Sequence, residues 1–417
     1  MNEMNSLTLN DKTYDCFVDG VARPLAKASA VVSSASGESI VVSDSSDLPL
    51  VGLNIYGKTT QAGTPTIDAP VDLVSVGAGG NIDVNVFGKN LLQNTAATHT
   101  VSGVTFTVKD GSVIVDGTVT DEFAQVEIGT MYCRANTPYV LSGCPSGGGR
   151  STYWLLLKSG KAFDYGASTV FSYDEDTLTI VYLRLQRGVV ASGLTFRPMI
   201  RLASIASNTF ESYSHHSLSV CTTDGLPGVP VSFGGNYTDA SGQRWCADEI
   251  DLARGMRVQR VCENASLTFG GSGTASGNVY VYSAYLYGTE NVMNTRVIST
   301  HFNWVESGAL AYMSSGTMFV RNTDSSPVVY CASTISTVDG FNAWIRENNV
   351  RFLSILATPI EIPLTEEEIA SYKASHTNKP NTTIFNDSGA YMSLKYNADP
   401  KSYIDNKVSG ILAATVE

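Results

Sequence analysis

Between Gly277 and Gly288 the chain carries Tyr280, Tyr282, Tyr285 and Tyr287. A sugar ring offers C–H groups to an aromatic face, and nearby Asn, Asp or Gln side chains fix its hydroxyls. A tyrosine run of this kind is therefore a candidate saccharide platform. Successive side chains on a strand alternate faces, so Tyr280 and Tyr282 share one face and Tyr285 and Tyr287 the other. Trp304 and Trp245 are nearby candidates. Cross-strand aromatic packing accounts for the same spacing without a ligand. A second candidate is "STYWLLL", where Tyr153 and Trp154 point to opposite faces, one toward a core and one outward. Tyr165 and Tyr173 lie on the turns that follow. Burial of Trp154 in the core is the alternative there.

Carboxylates are the other chemistry-bearing group. Glycoside hydrolysis needs two carboxyls facing each other across a cleft, about 5 Å apart for retention and farther for inversion. "ADEIDLARG" holds Asp248, Glu249 and Asp251, and "YDEDT" holds Asp174, Glu175 and Asp176. Neighbours in sequence do not supply the facing pair. "YDEDT" reads as a solvated turn, and "DEIDLARG" as an ion-pair network with Arg254 and Arg257. The histidines are scattered, and His215 and His216 diverge if they lie on a strand. Asp239 in "YTDASGQ" suits an Asx-type turn better than a calcium loop. There is no nucleophile elbow or phosphate-binding loop, and "PSGGGRST" lacks the Lys-Ser/Thr ending. The expectation is a chain without catalytic residues, metal ligands or cofactor.

The bulk composition narrows the partners. The net charge is −12, so clustered cations for a phosphate backbone are lacking and nucleic acid is not an expected partner. Charged residues make up only 16%, while hydrophobic residues make up 43% and can fill real cores. The seven cysteines are widely spaced and form no C-x-x-C pair, which favours free buried thiols over a disulfide scaffold. "MNEMNSLTLND" has neither the basic run nor the apolar core of a secretory leader. No apolar run reaches the length of a membrane span, so membrane insertion is not expected.

These residues must be positioned by strands. "GVTFTVKDGSVIVDGTV" sets Val104, Phe106 and Val108 on one face, then Asp110-Gly111, then Val113 and Val115 on one face. A D-G pair between alternating runs is a strong hairpin signal. Similar runs recur at short intervals, which predicts an all-β chain of tandem, jelly-roll-like β-sandwich domains. The expected order is a small N-terminal β attachment region (1–56), then an extended Pro/Thr connector with strands (57–87). A first sandwich (88–215) and a second sandwich (216–363) follow. The last part (364–417) is a helix, a β-hairpin and a terminal amphipathic helix. "GFNAWIRENN" adds a short helix with Phe341, Trp344 and Ile345 on one side. In "PLTEEEIASYKASH", Thr365 and Glu368 form a capping box, with Leu364 and Ile369 as a staple. The terminal helix opens with Asp399 as cap and Pro400 at its first position. Its stripe of Ile404, Val408, Ile411 and Leu412 serves either packing on the chain's own body or self-association.

Four phrases carry a resemblance. They are "LNIYGKTTQAGTPTIDAPVDLVSVG"; "GKNLL" with "GVTFTVKDGSVIVDGT", "YVLSGCPSGG", "LTFRPMIRL" and "TFESY"; "GLPGVPVSFGGNYTDASGQRWCADEIDLARGMRVQRV"; and the segment from "LATPIEIPL" to "SYIDNKV". In this order, and over most of residues 50–410, the chain resembles minor tail or baseplate-associated structural proteins of siphophages that infect Gram-positive bacteria. The resemblance implies a virion component at the tail tip, made in the bacterial cytoplasm, with modules similar to carbohydrate-binding β-sandwiches. It implies other tail and baseplate proteins as partners, host cell-wall glycan as a ligand, and a homo-oligomer, a trimer by analogy. A purely structural adaptor or decoration protein is the alternative, and a polysaccharide depolymerase a distant third. No catalytic set comes with the resemblance.

Overall fold

The computed structural model describes residues 6–9, 12–15, 28–35, 38–42, 52–263, 267–275, 277–286, 297–305, 313–321, 327–375 and 381–398. Among them the chain is mostly β, in several antiparallel sheets, with two helices, and no helix is long and apolar enough to cross a membrane.

The central body is a sandwich of two sheets. One has nine strands, in the order Ser6–Leu9, Lys12–Asp15, Ala28–Ser34, Tyr391–Ala398, Gly52–Tyr56, Glu249–Asp251, Met256–Glu263, Phe352–Pro363 and Ile298–Ser299. The other sets His215–Leu226, Val74–Phe87, Thr382–Phe385 and Ser39–Val42 side by side, with Thr59–Thr60 attached to Val74–Phe87. Period-2 alternation puts Leu53, Ile55, Ile250, Met392 and Leu394 of the first sheet into one core with Ile40, Ile82, Val84, Val86, Leu218, Val220 and Ile384 of the second. Each of these residues is essentially inaccessible to solvent, so removing any one leaves a cavity.

The units are nested. Strand Val74–Phe87 leaves the central body at Phe87 and the chain returns at His215, its direct antiparallel partner. Residues 88–214 are thus a module inserted between two paired strands. Its core is filled by Phe106, Val113, Val126, Leu155, Leu183, Phe196 and their neighbours. The Asp110-Gly111 hairpin forms as expected, with Lys109 opposite Ser112 and both turn residues at positive φ (51° and 79°). A second insertion leaves after Glu263 and returns at Phe352. Among its described residues it holds a five-stranded sheet with helix α1 (Val338–Glu347) on one face and lends Ile298–Ser299 to the nine-stranded sheet, so residues 216–363 divide between the central body and this smaller unit. Phe341 and Ile345 of α1 are buried, and Thr337 caps the helix by accepting from Gly340 N–H.

The stretch 57–73 is extended but joins the two layers of one sandwich, since Gly52–Tyr56 and Val74–Phe87 belong to opposite sheets. It is pinned along its length. Gly57 N–H donates to Asp248 C=O, Lys58 N–H to Leu226 C=O and Val71 N–H to Thr300 C=O, and Pro65 is buried. The phrase "TTIFNDSGAYMSLKY" is an arch instead of the expected hairpin. Thr382–Phe385 and Tyr391–Ala398 enter different sheets, and buried Asn386 holds the bend by donating to Ser34 and to Ala390 C=O. A hairpin would have left one of these two apolar segments without a core to enter.

Helix α2 (Glu366–Ser375) starts on the expected capping box. Thr365 Oγ1 accepts from Glu368 N–H at 3.2 Å, and Thr365 N–H donates to Glu368 Oε2 at 2.9 Å. Replacing Thr365 by alanine is expected to lower stability by about 1 kcal/mol, read from chemical unfolding, and Thr365→Ser to recover most of the loss. The terminal stripe of Ile404, Val408, Ile411 and Leu412 lies outside the described residues.

Candidate functional site

Where the inserted module meets the central body, a cleft of about 810 Å³ opens. The module side comes from the end of the strand Phe123–Cys133. Tyr132 points outward there, 59% exposed, and its hydroxyl donates to Asp176 Oδ2 at 3.1 Å. Asp176 Oδ1 accepts from Ala135 N–H at 2.8 Å. That backbone bond and the one from Tyr132 hold the Asp176 carboxyl below its ordinary range. The same hydrogen bond to Asp176 raises the Tyr132 hydroxyl, which therefore stays protonated.

The opposite wall comes from the central body and the last residues of the module. Phe87 and His215 are cross-strand partners, and their rings stack at 4.5 Å. Tyr213 leans against both at 6.5 Å. His215 Nε2 lies 3.1 Å from Asn85 Oδ1. Burial, with the neighbouring His216, lowers the His215 pKa, so the ring is neutral at pH 7. Arg134 crosses the seam. Its guanidinium pairs with Asp387 at 2.5 Å and lies over the Phe385 ring at 4.3 Å. The cleft thus combines aromatic walls with fixed amide, carboxylate and hydroxyl groups, the requirement for holding a polar ring. Asp176 is ionised and accepts on both oxygens, so it has no proton to give as a general acid.

The residues expected from the sequence are placed elsewhere. Tyr153 packs on the module core, edge-on to Phe196 at 5.6 Å, and its hydroxyl donates to Ser146 C=O. Trp154 does lie on the opposite face, but it is only 4% exposed, under Tyr165 at 6.3 Å and Arg184 at 5.7 Å. Tyr165 is half-buried and accepts from Arg150 Nε. Tyr173 is buried between Ser159 and Thr179. In the second inserted unit Tyr280 and Tyr282 share a face as expected, and that face packs on α1. Tyr282 is 2% exposed, with its ring 4.1 Å from Phe341, and Trp304 joins the same core. Tyr285 is exposed on the other face, and Tyr287 lies outside the described residues. These tyrosines form no exposed coplanar pair among the described residues.

"DEIDLARG" is a bonded network with other partners than expected. Glu249 pairs with Arg260 at 2.8 Å, Arg254 with Glu361 at 2.6 Å, and Arg257 donates to Gly225 C=O. Asp239 closes an Asx turn. It accepts from Ser241 and Gln243 N–H and from Trp245 Nε1, and these bonds outweigh its desolvation and hold its pKa down to about 2. No group of His, Cys, Asp and Glu among the described residues is arranged to hold a metal ion.

Sequence reasoning missed Tyr132, Asp176 as a cleft residue, Phe87, Tyr213 and His215. The available signal was positional. "GKNLL" and "TFESY" bracket the module, so Phe87, Tyr213 and His215 at its two ends flank the seam, while Tyr132 and Asp176 carried no such mark. In comparisons with family models, curated proteins and solved structures, nothing matches the chain.

Proposed function

We propose that this protein is a structural component of a siphophage tail tip that attaches the virion to host-surface glycan through the seam cleft, without hydrolysing it. The observation that carries the binding part is the cleft itself, lined by exposed Tyr132 with its partner Asp176 and by the stacked Phe87 and His215 with Tyr213 and Asn85. The phage part rests on the phrase-level resemblance. A non-enzymatic role agrees with the state of Asp176 and with Asp248, whose raised carboxyl is only 1% exposed. Single sites of this kind are weak, and several copies in one virion raise avidity by roughly 10²–10⁴. A trimer, with other tail proteins as neighbours, is part of the proposal.

The test is binding of the purified protein to cell-wall polysaccharide from Gram-positive hosts. Tyr132→Ala is expected to weaken binding roughly tenfold or more, while Tyr285→Ala leaves it unchanged. No binding by the wild-type multimer sinks the attachment reading, and release of sugar sinks the non-enzymatic one. The adaptor reading is favoured by one feature, the exposed run 357–363, where Ile360 and Ile362 are 49% and 44% exposed. If wild type binds other tail proteins but no glycan, that reading replaces the first.

A further inference from the structure

In the first inserted module, Phe163–Asp164, Tyr153–Leu157, Thr177–Gln186, Phe123–Cys133 and Gln93–Asn94 form a sheet in that order, with one face to the core and one outward. Ala124, Val126, Ile128, Met131 and Cys133 point inward, as do Val181, Leu183 and Leu185. Alternation then fixes the outward rows, and the register states who sits beside whom. Tyr132 is beside Leu178, Thr130 beside Ile180, Glu127 beside Tyr182, Gln125 beside Arg184, and Phe123 beside Gln186. The next strand sets Leu156 beside Tyr182 and Trp154 beside Arg184, but both are covered, so the open rows are those of the first two strands.

Three of the chain's exposed large hydrophobics lie on this one face: Phe123 at 37%, Tyr132 at 59% and Leu178 at 63%. Two of them line the seam cleft, and Phe123 marks the far end of the sheet. Between the ends, apolar side chains alternate with an amide, a carboxylate and a hydroxyl. At about 3.4 Å per residue, Phe123 and Tyr132 are roughly 30 Å apart along the strand.

We propose that the seam cleft is one end of a track along this face, and that the track carries a linear, uncharged polysaccharide lying parallel to the strand Phe123–Cys133. The proposal rests on the cleft being a glycan site and adds the polymer's form and charge. A saccharide chain exposes C–H faces and hydroxyl edges in turn, which the alternating rows match. A peptide strand docks by main-chain bonds to a sheet edge, whereas the groups of this track are side chains standing on a sheet face. A phosphate-bearing polymer would need unengaged cations. Arg184 instead donates to Gln125 at 2.7 Å and lies over Phe123 at 4.4 Å, Arg134 pairs with Asp387, and Glu127 and Asp176 add negative charge. The face also covers Trp154 Nε1, a buried donor without a partner.

The experiment uses the full chain and size-fractionated fragments of neutral cell-wall polysaccharide, with teichoic acid as the charged probe. Affinity is expected to rise with fragment length until the track is filled. Phe123→Ala is expected to weaken long fragments about tenfold and leave the shortest unchanged. Tyr132→Ala weakens both. Arg184→Lys, which keeps charge but loses the flat contact on Phe123, should repeat the length-selective loss if Phe123→Ala lowers solubility. Length-independent binding that Tyr132→Ala still abolishes overturns the track and leaves the seam site standing. No binding at any length overturns both, and preference for teichoic acid overturns the uncharged occupant.

Discussion

Glu211→Ala is expected to destabilise the protein by about 3 kcal/mol, far more than its surface position suggests. The reason is Lys89, whose side chain is wholly buried where the inserted module joins the central body. Its ammonium lies 3.3 Å from Glu211 Oε1 and 3.2 Å from Ser207 Oγ. Asn90 beside it ties the same crossing together. It donates to Glu211 C=O, and its Oδ1 accepts from Leu92 N–H. Removing the carboxylate leaves a desolvated charge with a hydroxyl, and that is the costly half of a buried pair. Removing the charge instead is cheap. Lys89→Met leaves Glu211 35% exposed and still accepting from Asn381 at 2.7 Å, so a loss of about 1 kcal/mol or less is expected. Urea unfolding of the two variants gives the comparison. Equal losses would show that packing, and not the uncompensated charge, sets the cost. The pair also explains two phrases in the sequence, since "GKNLL" and "TFESY" supply the two sides of this joint.

Asp248→Ala is expected to cost about 2–5 kcal/mol, because it leaves two buried backbone donors without an acceptor. Asp248 Oδ1 accepts from Arg260 N–H at 2.7 Å and Val261 N–H at 2.9 Å. Those donors sit where the pairing of Met256–Glu263 with Phe352–Pro363 shifts register, so the regular ladder is interrupted there. Desolvation pushes the Asp248 carboxyl up to about 6, against the two backbone bonds and the nearby Arg257 and Arg260. The folded protein therefore holds this proton more tightly than the unfolded chain does. Its contribution to stability is complete below the unfolded value of 3.8 and is lost as pH rises through about 6. Asp248→Asn keeps the acceptor and cannot titrate. The difference in unfolding free energy between pH 4.5 and 7 should then shrink by on the order of 2 kcal/mol relative to wild type. An unchanged pH slope in Asp248→Asn would mean that Asp248 is not the titrating group.

Local signals in the sequence were reliable where the physics is local. The Asp110-Gly111 turn, the Thr365–Glu368 box and the α1 pattern of Phe341 and Ile345 each depend on residues within one turn of one another. The all-β class followed from the same alternation. Partner choice was not legible, because Phe87 pairs with a residue 128 positions away and alternation says only which side of a strand is apolar. Nesting and the arch at Asn386 were missed for that reason. Tyr282 shows the same limit at the candidate site. Its type and face were legible, but Phe341, far along the chain, decides that the face is covered. The seam cleft draws Tyr132, Asp176 and His215 from three separate segments, and none of these segments marks the others.

The arch at Asn386 bears on the order in which the chain can become a protein during synthesis. Thr382–Phe385 lies between Val74–Phe87 and Ser39–Val42, and Tyr391–Ala398 lies between Ala28–Ser34 and Gly52–Tyr56. One late segment therefore fills a strand-wide gap in both layers. The inserted module draws its core almost entirely from residues 91–205 and can close while the ribosome is still at work. The central body cannot, because Ile384, Met392 and Leu394 reach it last. A chain that stops early thus carries a finished module on an open scaffold whose unpaired strand edges invite association. Completion of the body is in effect a check that translation has passed Ala398.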